Sequence, residues 1–505
     1  MEQLITALYV GTSKIIASVA RKNSSGKLSI LKTDEIDSEN CIRRGCVYNS
    51  TETSRKISDL LTRLDSHIFY NYKTHLEEIY VGIGGQSLHL EYYKIIKEVP
   101  NGTVNLSLLG EIETEIKEYQ PELAKVFEIL PPEYYLDGQL QPNNSRGTEA
   151  SVIEARYPLI VGSPKLKGLI ERALPDKYKI AGFFISPLAT AYSILKKNEK
   201  ELGCALVEMG KGLTYVSIYK AGNLKYLFTL PLGGIAITKD IRALNMSEEG
   251  AEKLKIKYGS AILDYGDGTA IKIDDEFSTA KEIELKNLNM IVEARSDEIL
   301  VNVARKIEES GFADALGAGI ILTGGAALLK NLPEALHNLT KKDVRLAYAT
   351  SFSTDNNEIT HPASYSCVVG LLTMAGKSTI NKNPPTIVKP PVKPIEDPNV
   401  TSPSKSTFID RIFSNGHSAK EEKEKTPEVV VPQPVVTKKV IEKDPVQPVI
   451  NPVIGKRGRK LTTLINRWTD DLFKEEDYKQ ENKKGNENEN KNENENGNEN
   501  ENKND

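Results

Sequence analysis

The sequence predicts an α/β chain of duplicated mixed sheets with helices, followed by a long extension that does not fold. Two observations predict it. An apolar strand, a glycine-rich tight turn and a second strand occur twice, about 200 residues apart. Composition then changes sharply near Gly376, before which apolar strands alternate with helical patterns.

Leu4–Val10 and Ile15–Arg21 read as strands joined by the turn Gly11-Thr12-Ser13-Lys14. Ser54–Ser66 reads as a helix, and Glu78–Ile83 as a strand ending in Gly84-Gly85. Gly203–Glu208 and Thr214–Tyr219 are again strands, joined by Met209-Gly210-Lys211-Gly212. Asn223–Leu230 makes a hairpin partner, ending in Leu232-Gly233-Gly234. Arg295–Ser310 is a helix leading into the strand Ala318–Leu322. Thr323-Gly324-Gly325-Ala326 follows and opens a helix at Ala327–Leu329. From Asn383 to Pro452 the chain holds 13 of its 25 prolines and a single glycine, Gly416. Proline lacks the N–H and fixes φ, so this stretch reads as an extended linker; the alternative is an edge-strand β-domain. After Lys479 an Asn-Glu alternation has nothing apolar to bury and is expected to be disordered.

The 505 residues carry 66 Lys+Arg and 70 Asp+Glu, a net charge of −4. The last 25 hold 4 Lys and 8 Asp/Glu, so the preceding 480 balance, which argues against a nucleic-acid partner. Mean hydropathy is −0.39, and no apolar run approaches the roughly 18 residues of a membrane-crossing helix. The N-terminus lacks a basic region and a cleavage site, so it does not read as a signal peptide. Four cysteines (Cys41, Cys46, Cys204, Cys367) form neither a disulfide framework nor a CxxC pair, which fits a reducing, cytoplasmic setting.

The glycine turns carry the chemistry. Glycine after a strand lets the backbone reverse tightly and approach a ligand closely. The N–H groups of Gly11–Lys14 and Gly210–Thr214, with the hydroxyls of Thr12, Ser13 and Thr214, are candidate donors to phosphate oxygens. The third turn, opening a helix, would add a helix N-terminus. Each turn alone is an ordinary hairpin turn; the three in order make the case.

These residues carry a family resemblance. The stretches VGTSKIIA (Val10–Ala17), CIRRGCV (Cys41–Val47), VGIGGQSL (Val81–Leu88), SPLATAYSIL (Ser186–Leu195), ALVEMGKGLTYVSIYKAGNL (Ala205–Leu224), LPLGGIAITKDI (Leu230–Ile241), AEKLKIKYG (Ala251–Gly259), VEARSDEIL (Val292–Leu300), ILTGGAALLKNL (Ile321–Leu332) and the GLL near Gly370 run in order across about 375 residues. Together they resemble the FtsA family of actin-like bacterial division proteins, within the actin, Hsp70 and sugar kinase superfamily. The resemblance implies an actin-like two-domain ATPase fold clamping ATP and Mg²⁺. Gly11, Thr12, Ser13 and Lys14 would form the first phosphate loop, and Gly210, Lys211, Gly212, Leu213 and Thr214 the second. Gly324, Gly325 and Ala326 would form the adenosine loop. Glu252 and Lys255 would flank the ribose and adenine, with Gly233 and Gly234 near the phosphates. Residues 1–86 and 162–202 would be the first domain and 203–375 the second, with a mobile lobe at 236–305. Residues 87–161 would be an inserted small α+β domain making polymer and partner contacts. Taken alone, Glu252 and Lys255 are an ordinary solvated helix pair.

Two departures stand out. The family's first loop begins with an Asp that helps hold the metal's water shell; here that place is Tyr9. The second loop's Asp is Glu208, the one remaining candidate for holding Mg²⁺ through bound water. A phenol cannot supply a carboxylate's charge, so metal coordination and hydrolysis are expected to be weakened while nucleotide binding survives. The alternative is a core aromatic in an empty site. No catalytic residue is assigned.

Lys456–Phe473 interrupts the polar extension. Leu461, Leu464, Ile465, Trp468 and Leu472 fall in a helical stripe of about 100°, flanked by Lys460 and Arg467 and preceded by Lys456, Arg457 and Arg459. That is the pattern of a helix at an anionic membrane surface, expected over 456–475 between the linker 376–455 and the tail 476–505. The alternatives are a helix docking in a protein groove and a chance amphipathic pattern. A mid-linker cluster at Phe408, Ile409, Ile412 and Phe413 would be a second weak anchor or a peptide motif if it has a role at all. The resemblance implies FtsZ C-terminal peptide, later division proteins and copies of the chain as partners, at the cytoplasmic face of the membrane at the division site. Arg295 and Glu298 either touch a partner or hold an internal ion pair. A metabolic kinase is disfavoured by Tyr9, and an Hsp70-like chaperone by the proline-rich extension. The related pilus-assembly ATPase PilM is the runner-up, disfavoured by the amphipathic segment.

Overall fold

The computed structural model describes residues 3–378, apart from 24–27, 40, 142–144, 265–267, 276–277, 350–352 and 355–361. The proline-rich linker beyond residue 378, the cluster at 408–413, the amphipathic segment with Leu461, Leu464, Ile465, Arg467, Trp468 and Leu472, and the Asn-Glu tail lie outside the described residues.

The first sheet has six strands in the order Lys179–Ile185, Glu78–Ile83, Gln3–Val10, Lys14–Lys22, Leu28–Asp37 and Ser353–Thr354. The second has five, in the order Val344–Leu346, Ile320–Thr323, Cys204–Met209, Thr214–Lys220 and Asn223–Leu230. The topology repeats. Each sheet runs two parallel strands beside a hairpin's first strand, then two antiparallel neighbours. This is the duplication read from the strand–turn–strand repeat.

The first sheet is covered on both faces, and its alternation says how. Leu8, Val10, Ile15, Ala17 and Val19 join the cluster containing Ile57, Leu60, Leu61 and Leu64 of the helix Ser50–Tyr72. The intervening Ile5, Ala7, Ile16 and Ala20 pack with Val368, Leu371 and Leu372 of the helix Pro362–Ser378. Successive strand side chains point to opposite faces, so the two helices sandwich the sheet. Ser50–Tyr72 is longer than the expected Ser54–Ser66, because Asn49 caps its start by accepting from Glu52 N–H at 3.0 Å and a left-handed Lys73 ends it.

The second sheet packs on helices Gly234–Ile241, Glu248–Tyr258, Leu285–Glu309 and Leu332–Thr340 around a core including Val207, Val216, Leu288, Val292, Ile299 and Leu322. The expected helix Arg295–Ser310 is the latter part of Leu285–Glu309. One expectation is overturned. Thr323–Ala326 does not open an α-helix; Gly325–Leu328 is a single 3-10 turn, and the α-helix begins only at Leu332. Gly324 at φ 91 bends the chain against Met209, where a Cβ would lie 2.3 Å from the carbonyl oxygen. No helix N-terminus therefore faces a ligand at this turn.

Residues 89–162 form a separate five-stranded sheet. Its core sets Ile95, Ile153, Ala155 and Leu159 against Leu108, Ile112 and Ile116 of the helix Leu106–Glu118.

Candidate functional site

The first turn is a closed hairpin. Gly11 N–H donates to Lys14 O at 3.0 Å. Ser38 holds the turn from below: its N–H donates to Ser13 O at 2.9 Å and its hydroxyl to Gly11 O at 2.6 Å. Thr12 Oγ1 accepts from Gly45 N–H at 2.9 Å. The second turn closes alike, Gly210 N–H donating to Leu213 O at 2.8 Å. Its outer carbonyls are pinned by the start of the helix Gly234–Ile241. Gly234 N–H reaches Gly210 O at 3.0 Å, and Ile235 N–H reaches Lys211 O at 2.8 Å. Two of the expected phosphate donors, Gly11 and Gly210 N–H, are thus used by the hairpins themselves.

The two turns meet face to face. A Cβ on Gly212 would lie 2.8 Å from Thr12 Cγ2, and one on Gly45 2.8 Å from Leu213 Cδ1. Between them opens a cleft of about 410 Å³. It is lined by Gly11–Lys14, Glu208, Gly210–Leu213, Gly234, Glu252, Lys255 and Gly324–Ala326. These come from five separated stretches of chain. Thr214 and Gly233 stand behind the wall. The Thr214 hydroxyl donates to Leu232 O at 2.9 Å rather than into the cleft. Gly233 lets the backbones touch, since a Cβ there would sit 2.5 Å from Gly210 O.

The lining is of two kinds. The glycine turns carry Lys14 and Lys211. Ile256, Ala326, Leu328 and Leu329 add apolar surface, with Glu252 and Lys255. Lys255 Nζ donates to Glu252 Oε2 at 2.6 Å, Thr238 Oγ1 at 2.9 Å and Gly234 O at 3.1 Å. Burial pulls its ammonium below the usual lysine range, against the opposing Glu252 carboxylate, and the charge of Lys211 adds to the lowering. Glu252 and Lys255 are a pair on one helix face, as their spacing requires, and Thr238 joins them.

The floor holds the acids' places. Burial pushes the Glu208 carboxyl up to about 7, with the Thr190 hydroxyl pulling the other way. Its Oε2 is sealed from solvent and has no hydrogen-bond partner. Tyr9 lies against Gly11, where a Cβ would meet its Cε1 at 2.7 Å. Burial and then the Glu208 charge hold its phenol well above the usual value. Tyr215 accepts Gly85 N–H at 2.8 Å.

Sequence reasoning missed Gly45, Gly84, Tyr215, Ser364 and Cys367, which also line the cleft. Gly45 and Gly84 had a signal, lying in the stretches Cys41–Val47 and Val81–Leu88. Ser364 and Cys367 had none, arriving on a helix some 150 residues beyond the second turn. Arg295 and Glu298 lie away from the cleft. Arg295 donates to Asp240 Oδ2 at 2.5 Å and to Glu298, tying the helix Leu285–Glu309 to Gly234–Ile241. Among the described residues no helix is long and apolar enough to cross a membrane.

Comparison with known proteins bears on this arrangement. The family described as "Cell division protein FtsA" matches residues 205–370. The cell division protein FtsA of Porphyromonas gingivalis is 32% identical over 345 residues, covering 67% of this chain and 71% of that protein. That of Pseudomonas aeruginosa is 27% identical over 378 residues, covering 73% and 88%. Among solved structures, a PilM-PilN type IV pilus biogenesis complex matches at a TM-score of 0.53 and 14% identity, covering 74% of this chain and 98% of that one. At that identity the likeness speaks to the fold alone, which is the actin-like one. The FtsA likeness spans most of both sequences, and on that ground the chain belongs to the FtsA family of cell division proteins.

Proposed function

We propose that the chain binds ATP in this cleft and assembles with its own copies as actin does. It thereby tethers the FtsZ ring to the cytoplasmic face of the membrane and recruits later division proteins. The observation that carries the nucleotide reading is the meeting of two glycine turns, one from each duplicated half, at a cleft lined by both cationic and apolar side chains. Backbone N–H groups at the tips of the two turns suit phosphate oxygens. The apolar surface of Ile256, Ala326, Leu328 and Leu329 suits a purine face. A ligand that touches both turns favours the state in which the halves are drawn together, and copies add to that state.

Tethering is assigned to 456–475. Five apolar side chains at roughly 1.5–3 kcal/mol each, less the cost of ordering and partial burial, leave one helix a weak anchor. Many helices carried on one polymer bind firmly through effective concentration. The test is co-sedimentation of the full chain with anionic liposomes and the FtsZ tail peptide, comparing wild type with Trp468→Asp. Loss of sedimentation in the variant alone supports tethering; equal sedimentation, or none in either, overturns it.

A further inference from the structure

Magnesium beside a nucleotide keeps several waters and is held through one or two carboxylates plus phosphate oxygens. The residues present do not fit that demand. The first carboxylate's place is a phenol, Tyr9, laid against Gly11. The second's is Glu208, which lines the cleft but has its Oε2 sealed from solvent with no hydrogen-bond partner. The other acids near the cleft are committed. Glu252 is bound to Lys255 and Thr238. Glu35 is paired with Lys14 and accepts from the Tyr365 hydroxyl at 2.9 Å. Among the described residues, no three His, Cys, Asp or Glu side chains gather where they could hold a metal ion.

Positive charge is nevertheless supplied at the glycine turns. Lys211 sits between Gly210 and Gly212 in the second turn and lines the cleft, whereas Lys14, which closes the first, is paired with Glu35. A lysine ammonium is a flexible point charge with three donors, suited to phosphate oxygens without a fixed coordination shell.

We propose that this cleft holds its nucleoside triphosphate without a divalent cation, with Lys211 of the second turn supplying the counter-charge. The inference rests on the nucleotide reading above. It makes the nucleotide a static ligand that clamps the halves rather than a substrate turned over.

The experiment is titration of the full chain with a fluorescent ATP analogue, in excess Mg²⁺ and again in excess EDTA, with a thermal-shift readout alongside. The expected result is an affinity that differs by less than about threefold between the two conditions, under 1 kcal/mol. Lys211→Gln should weaken binding about tenfold or more in both, as loss of a charge-assisted contact does. Tyr9→Asp, which restores an acid, should make binding stronger in Mg²⁺ than in EDTA. Wild-type binding that collapses in EDTA overturns the inference and leaves the nucleotide reading standing. Equal binding by wild type and Lys211→Gln also overturns it. No binding by wild type in either condition overturns the nucleotide reading itself, and this inference with it.

Discussion

Ser38 is buried, and through two hydrogen bonds it fixes the carbonyls of Gly11 and Ser13. Removing one partner of a buried bond leaves the other unsatisfied, at about 1–3 kcal/mol. Ser38→Ala should therefore lower unfolding free energy by that amount in a denaturant titration; a loss under about 0.5 kcal/mol would mean the turn holds itself. Asp65 makes a second case. Burial works to raise its pKa, but Lys177 Nζ at 2.9 Å, Leu76 N–H at 2.8 Å and His75 together outweigh it and hold the carboxyl below its ordinary 3.8. A carboxylate whose folded value is depressed adds stability above its unfolded pKa and loses it as pH falls through the folded one. Asp65→Asn should cost about 1–3 kcal/mol at neutral pH, the gap to wild type closing below pH 3.8. A gap unchanged across that range would show that packing, not charge, is lost.

At the scale of elements, two helical glycines make opposite predictions. The helix Pro362–Ser378 crosses Ser186–Ile194 so closely that a Cβ on Gly370 would lie 1.9 Å from Ala189 O. Gly370→Ala must push the helices apart, and both line or support the cleft. It should destabilise by about 3 kcal/mol or more, seen as a lower melting temperature with weaker nucleotide binding. Gly110 lies exposed inside Leu106–Glu118, and a Cβ there would meet nothing within 4 Å. Gly110→Ala should stabilise by about 0.5–1 kcal/mol, because alanine loses less backbone freedom on joining a helix. Matching signs in the two variants would show that backbone freedom, rather than contact, governs both.

Across the whole molecule, the sheet of residues 89–162 emerges from the first half yet touches the edge strand of the second. Tyr92 donates its hydroxyl to Lys225 O at 3.0 Å and Lys225 pairs with Glu133, while just before the sheet Leu88 O accepts from the Thr229 hydroxyl at 2.6 Å. The halves are therefore joined away from the cleft as well as at it. Lys225→Met leaves Glu133 without this partner and should speed hydrogen exchange in Asn223–Leu230 and His89–Glu98, while leaving Gln3–Val10 unchanged. Uniform speeding would indicate global loss of stability instead.

How much of this was legible beforehand follows from the range of the interactions involved. Strand alternation, the positions of the glycine turns and the repeat of strand–turn–strand are written by neighbours a few residues apart, and the sequence alone determined them, along with the family. The Asn49 cap lay just outside the apolar pattern of its helix, so that helix read short. Only the tertiary structure decided that Gly11 and Gly210 N–H close their own hairpins, that Thr214 turns to Leu232 and that Gly325–Leu328 is a 3-10 turn. The same holds for Ser38 beneath the first turn and for the sealed Glu208 oxygen. Each depends on a partner, or on a wall of packed residues, brought in from a distant part of the chain. Local patterning specifies where a turn can form, but only packing settles which of its hydrogen-bonding groups are already taken.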